Sequence, residues 1–180
     1  ARDGLGRLEA IIDDMRTATR EGALAADKQT INIADVATTA WNHVETGSAV
    51  LEPPPSILVE ADAKRLLRLF ENVFVNTATH GPERDERASD EESEGDTTGI
   101  TVRVIPTPDG FAVEDDGRGI DPDDREWVFE PGASRTADGT GFGLYIVRTI
   151  AEAHGWTVSV TAGDHGGARF EFDVDADTAC

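Results

Sequence analysis

The sequence holds a single cysteine, Cys180, as its last residue, so no disulfide can form within the chain. Lysine is nearly as scarce, with Lys28 and Lys64 the only two among 16 basic residues and arginine supplying the rest. Against these stand 36 acidic residues, which leaves a formal charge of −20. So negative a field excludes sequence-independent nucleic-acid binding and docking on an anionic membrane as main activities, because both need Lys/Arg clusters. No apolar run approaches the roughly 18 residues of a membrane span, and no signal-peptide pattern opens the chain. Gly-Lys-Ser/Thr occurs nowhere, which excludes a Walker P-loop. These absences read as a soluble piece of a cytoplasmic protein.

What is present is ordinary in apolar content and unusual in charge. The 38% hydrophobic residues together with 18 glycines fit a globular domain and exclude wholesale disorder. The acidic excess suits a protein held soluble in concentrated salt, where the Debye length falls to about 3 Å at 1 M.

The first segment has a narrow apolar seam, Leu5, Leu8, Ile12 and Met15, spaced for packing on another helix. A frayed leader helix is the other reading of so short a run. A second helix is expected over Ile33–Val44, and a short buried strand at Ile57-Leu58-Val59 after three prolines. Asp62 is placed to cap a helix running to about His80, with Leu66, Leu67, Leu69, Phe70, Val73 and Phe74 on one broad face. Asn72, Asn76 and His80 follow an i, i+4, i+8 line along the rim of that face. Residues 83–98 are almost wholly charged or polar and read as a solvated loop. Ile100–Val104 and Phe111–Val113 alternate as strands, joined by Pro106-Thr107-Pro108-Asp109-Gly110. A helix marked by Leu144, Val147, Ile150 and Ala151 should end at Gly155, and two closing strands meet at Gly166-Gly167. Three core helices and about five strands predict an α+β, two-layer sandwich with the helices on one face of a mixed sheet.

Two glycine clusters lie where chemistry is plausible. Asp115-Asp116-Gly117-Arg118-Gly119-Ile120 follows a strand, and its carboxylate could accept from an exocyclic amine while the backbone passes close to a ring. A tight turn is the plain alternative. Gly139-Thr140-Gly141-Phe142-Gly143-Leu144 opens a helix, where exposed backbone N–H groups favour phosphate; a flexible loop is the alternative there. A Rossmann fingerprint is excluded by order, since no strand leads into the second cluster.

In sequence order the set resembles the nucleotide-binding domain of sensor histidine kinases, in the superfamily that also holds DNA gyrase, heat-shock chaperone and mismatch-repair ATPases. Phe70 to Asn76 resembles the asparagine box, Asp115 to Gly119 the first glycine box, Val128-Phe129-Glu130-Pro131 the phenylalanine box, and Gly139 to Gly143 the second glycine box. The resemblance implies the Bergerat ATP-binding fold over residues 30–180, with residues 1–29 similar to the end of the dimerisation and phosphoacceptor hairpin plus a linker. With the acidic composition, it suggests a haloarchaeal source.

The resemblance also implies roles. Asp115 would accept the adenine amine, with Gly117, Gly119 and Ile120 beside the ring. Asn76 would ligate Mg²⁺ on the triphosphate, supported by Asn72 one turn earlier; these two are the candidate catalytic positions. His80 would line the same site. Residues 130–140 would form a lid with Arg135 toward the terminal phosphate, and Thr140, Gly141, Phe142, Gly143 and Leu144 would cradle the phosphates. Three positions depart from the family's common pattern. Thr79 stands where a Lys or Arg is frequent, Gly132 where a second aromatic is usual, and Ala168 where a threonine is common.

None of His43, His80, His154 and His165 is followed by the acidic residue of a phosphoacceptor, so all four read structurally. The expected function is therefore ATP-dependent phosphoryl transfer to a histidine on an upstream hairpin, in a homodimer, with a response-regulator receiver domain downstream. No nucleic acid and no direct membrane contact are expected. A stand-alone ATPase or anti-sigma-factor-like serine kinase of the same fold is one alternative. A non-catalytic nucleotide-sensing module is another.

Overall fold

The computed structural model describes residues 12–13, 15–17, 19–21, 27–79, 99–134 and 139–174. Three helices, α1 (Ile33–His43), α2 (Ala63–Thr79) and α3 (Gly143–His154), form one layer. The strands are β1 (Gln29–Asn32), β2 (Val50–Leu51), β3 (Leu58–Ala61), β4 (Thr101–Thr107), β5 (Gly110–Asp115), β6 (Thr157–Ala162) and β7 (Ala168–Asp173). Five of them make a mixed sheet in the order β2-β4-β5-β7-β6, parallel only at β2–β4. This is the expected α+β sandwich, with an added antiparallel pair, β1–β3, in register Ile31↔Val59.

Helix α2 follows its sequence signals closely. Asp62 Oδ1 accepts from the N–H groups of Lys64 and Arg65 at 3.0 and 3.2 Å, satisfying two donors that a helix start leaves open. Leu66, Leu69, Phe70, Val73 and Phe74 are fully buried, while Leu67 is half-buried at the stripe's edge. Phe70 stacks on Phe111 of β5 at 5.7 Å, and Phe111 on Phe172 of β7 at 4.8 Å. That aromatic column fixes α2 over the middle of the sheet, each ring contributing about 1.5–3 kcal/mol by burial. Helix α1 rests on α2 through Trp41 against Phe74.

Helix α3 ends at Gly155, whose φ of +80° lets its N–H return to Ala151 and Glu152. His154 Nδ1 lies 2.7 Å from Ile150 O, and its Nε2 accepts from the Asp62 N–H at 3.0 Å. The ring therefore ties the end of α3 to the start of α2. Burial holds this imidazole below its usual pKa, so it is neutral, as that acceptor role requires.

Two boundaries differ from the sequence reading. Strand β4 runs on through Pro106 to Thr107, leaving only Pro108-Asp109 as the turn. Proline is tolerated there because β2 covers only Thr101 and Val102, so the outer edge of β4 beyond them is open. The strand expected at Ile57–Val59 sits one residue later, at Leu58–Ala61, because Asn32 Oδ1 and Ile33 N–H occupy the Ile57 backbone groups. It is half-buried rather than buried: Val59 and Ala61 face the core while Leu58 and Glu60 are exposed.

Ile12 and Met15 of the expected seam are exposed, and Leu5 and Leu8 lie outside the described residues; residues beside the seam meet α2 through arginine. Arg68 donates to Thr17 Oγ1 at 2.9 Å, and Arg65 meets Glu21 at 3.4 Å and its carbonyl at 3.0 Å. No described helix is long and apolar enough to cross a membrane.

Candidate functional site

The C-terminal end of β5, the rim of α2 and the start of α3 enclose a cleft of about 1000 Å³. Asn72 and Asn76 line it from α2, Asp115, Gly119 and Ile120 from the end of β5 and the loop after it, and Thr140, Gly141, Gly143 and Leu144 from the α3 start. Two clusters well separated in sequence, with Asn72 and Asn76, therefore share one cavity.

Asp115 is the most constrained group. Its Oδ1 accepts from the Gly117 N–H at 2.9 Å and the Ala168 N–H at 3.1 Å. Among the described residues, Oδ2 accepts only from the Thr77 hydroxyl, at 3.5 Å. Burial raises this carboxyl above its ordinary value; the backbone N–H groups and Thr77 pull down without cancelling it, and Asp116 pushes the same way as burial. The arrangement is a desolvated acceptor on the cleft wall with one oxygen nearly uncommitted.

Glycine is required at two points around it. A Cβ on Gly167 would lie 2.0 Å from the Asp115 carbonyl and 2.3 Å from Oδ1. Gly141 has φ +73°, and its Cβ would lie 2.4 Å from the carbonyl carbon of Gly132. The Gly132 N–H donates to Gly141 O at 3.0 Å. The close approach at the foot of the loop before α3 therefore depends on Gly141 having no Cβ; a Cβ on Gly132 would meet nothing within 4 Å, and only its φ of +83° favours glycine there.

Asn72 Nδ2 donates to Arg68 O at 2.8 Å, which leaves Oδ1 turned toward Gly143, 3.4 Å from where a Cβ would stand. An amide oxygen is a hard donor suited to a magnesium ion. No cluster of three His, Cys, Asp or Glu that could hold a metal occurs among the described residues. Any divalent ion here would rest on the asparagine oxygens and a ligand's own oxygens.

The remaining expected residues divide. Gly117 stands beside the cleft through its N–H to Asp115. The Phe142 side chain is not in the cleft: it is buried beside Tyr145 at 6.3 Å, because the turn into α3 points it at the core. His80 and Arg135 lie outside the described residues. Sequence reasoning missed Thr77, the Ala168 N–H, and Trp127 on the cleft rim. Thr77 was findable as a polar residue four after Val73 on the core stripe of α2. The Ala168 N–H carries no side-chain signal.

A family described as histidine kinase-, DNA gyrase B- and HSP90-like ATPase matches residues 61–178. Sensor histidine kinase ZraS of Salmonella typhimurium is 32% identical over 171 residues, 91% of this chain and 34% of that protein. Sensor histidine kinase MtrB of Mycobacterium bovis is 30% identical over 169 residues, 83% of this chain and 27% of that protein. The chain thus spans about a third or less of the curated relatives it matches. Among solved structures, full-length ShkA in complex with AMPPNP gives a TM-score of 0.62 at 26% identity, over 92% of this chain and 35% of that one. Mycobacterial sensor histidine kinase MprB gives 0.62 at 23% identity, over 81% of this chain and 95% of that one, which is a likeness of fold. These curated relatives are bacterial and lend no support to a haloarchaeal source. Matched over most of its length and with the family's boxes gathered on one cleft, the chain belongs to the histidine kinase-, DNA gyrase B- and HSP90-like ATPase family.

Proposed function

We propose that this chain is the ATP-binding catalytic part of a sensor histidine kinase, moving the γ-phosphoryl group of ATP to a histidine on a dimerisation hairpin. The observation that carries the reading is Asp115, with one oxygen saturated by backbone N–H groups and the other left on the cleft wall for an adenine amine. Gly119 and Ile120 would lie beside the ring, and the α3 start with Thr140, Gly141 and Gly143 would hold the phosphates. Asn76, with Asn72 behind it, would hold Mg²⁺, which when bound neutralises charge on the transferring phosphate. The chain's own part is to bind, orient and exclude water.

Residues 30–180 form the ATP-binding domain in this reading, and residues 1–29 the end of the hairpin and a linker. The grip of Arg65 and Arg68 on Thr17 and Glu21 supports it, and disfavours a stand-alone kinase that begins at the nucleotide domain. A response-regulator receiver domain would take the phosphoryl group onward, in the cytoplasm. Supplying the phosphoacceptor hairpin of the same kinase with γ-labelled ATP tests the reading. Label should appear on the hairpin histidine only when this chain is present. A hairpin that stays unlabelled at saturating protein sinks it.

The −20 charge further supports a chain adapted to concentrated salt. Lowering KCl from molar to about 0.1 M lengthens the Debye screening and should abolish the cooperative circular-dichroism melt. An identical midpoint at both salt levels contradicts salt adaptation without touching the kinase reading.

A further inference from the structure

Glu114 and Asp115 are neighbours at the end of β5, point to opposite faces of the sheet, and hold the same β6–β7 turn. Glu114 is 2% exposed although it lies on the face away from the helices. Its Oε1 accepts from the Asp164 N–H at 3.1 Å and lies 3.0 Å from His165 Nδ1; its Oε2 takes Arg169 Nη1 at 3.3 Å. Arg169 is steadied in turn by Glu171, 2.8 Å from its Nε. Burial alone would raise the Glu114 carboxyl, but the bonds from His165, Arg169 and the Asp164 N–H hold it below its ordinary value. It is therefore a fixed anion at neutral pH.

The turn between these grips has no slack. Gly163 N–H donates to Gly167 O at 2.8 Å, closing it. A Cβ on Gly163 would lie 2.9 Å from Glu114 Cγ, while one on Gly167 would lie 2.3 Å from Asp115 Oδ1. A Cβ on Gly119 would meet the Gly166 and Gly167 carbonyls at 3.1 Å, so the loop after β5 rests on the same turn. Whatever moves the turn on the Glu114 side moves the Ala168 N–H that occupies Asp115 Oδ1 on the other.

We propose that Glu114 is a positioning residue for nucleobase selection: by anchoring residues 163–167 it keeps the Ala168 N–H on one oxygen of Asp115 and leaves the other for the base. The inference rests on the reading of Asp115 as the adenine acceptor. It assigns a role to a pair of charges on the sheet face that touches no ligand.

The test compares ADP with IDP, in which a ring oxo group replaces the exocyclic amine, by calorimetry on this chain. The unsubstituted chain should prefer ADP. Glu114→Ala should narrow that preference about tenfold, because Oδ1 and Oδ2 of Asp115 are no longer held apart in role. Glu114→Gln retains an oxygen for the Asp164 N–H but sets its NH₂ against Arg169, and should restore part of the preference. A purely structural role would lower the melting midpoint and weaken both nucleotides alike, leaving the ratio unchanged. That unchanged ratio, in folded Glu114→Ala, overturns the proposal while the Asp115 reading survives. If Glu114→Ala shows no cooperative melt, His165→Ala replaces it, since that side chain is 57% exposed. It should narrow the preference about threefold, and an unaltered ratio is again decisive against the proposal. No preference for ADP in the unsubstituted chain would overturn the Asp115 reading and this role together.

Discussion

Asp115→Asn is expected to weaken ATP binding by about 2 kcal/mol or more, roughly thirtyfold, without lowering the melting midpoint of the free chain. The two halves of that result have one cause. The Asp115 carboxyl is 6% exposed, and burial raises it above 3.8 despite the N–H groups of Gly117 and Ala168. A carboxyl raised in the folded state binds its proton more tightly there than in the unfolded chain. Its ionised form therefore costs stability, a cost that grows as pH rises from 3.8 through the raised value and persists at neutrality. Asparagine removes the buried charge and keeps an oxygen for both backbone N–H groups. The midpoint should hold or rise. In the bound state the same change sets an NH₂ donor against the adenine amine, donor against donor. Calorimetry and a thermal melt on one preparation check both halves. An unchanged ATP affinity removes Asp115 from its role.

Much of this arrangement could be read from residue order, and the failures have physical reasons. Helix α2 was legible because Asp62, the apolar stripe from Leu66 to Phe74 and the asparagine line all follow the helical period. The C-cap at Gly155 and the closing of β6 and β7 around Gly166-Gly167 were equally clear, since each needs a particular residue type. The β1–β3 pair was not, because Gln29–Asn32 buries only Ile31 and finds its partner about 30 residues later. Phe142 was assigned with its neighbours in the glycine cluster, whereas the turn into α3 sends its ring to the core. At the site itself, the asparagines and glycines were visible as side-chain types. The Ala168 N–H was invisible, since it depends on a register one step beyond Glu114↔Arg169. Glu114 carried no signal in the sequence, because its burial is supplied by Arg169, His165 and a turn about 50 residues away.

Incubated alone with γ-labelled ATP, this chain is expected to bind the nucleotide and release no phosphate above a protein-free blank. In the hydrolases of the family resembled here, a glutamate stands one helical turn before the magnesium asparagine and takes a proton from the attacking water. Four residues before Asn76 this chain has Asn72, whose amide cannot accept that proton at neutral pH. Glu71 is one residue away but about 100° round the helix. Its Oε1 lies 2.9 Å from His43 Nδ1, on a side of α2 that does not line the cleft. Among the described residues the carboxylates on the cleft wall are Asp115, Asp121 and Asp124, all from the end of β5 and the loop after it. None stands on the asparagine edge of α2, where a base would have to act. The histidines offer no better acceptor: His154 is buried with both ring nitrogens engaged, and His43 and His165 each face a glutamate. His80 lies outside the described residues and is read by the same experiment. Thin-layer separation of the label, followed by acid- and base-stability of any labelled protein, decides the matter. Brisk phosphate release, or stable label on His43, His80, His154 or His165, would transfer the reading to an ATPase or a self-modifying enzyme of the same fold.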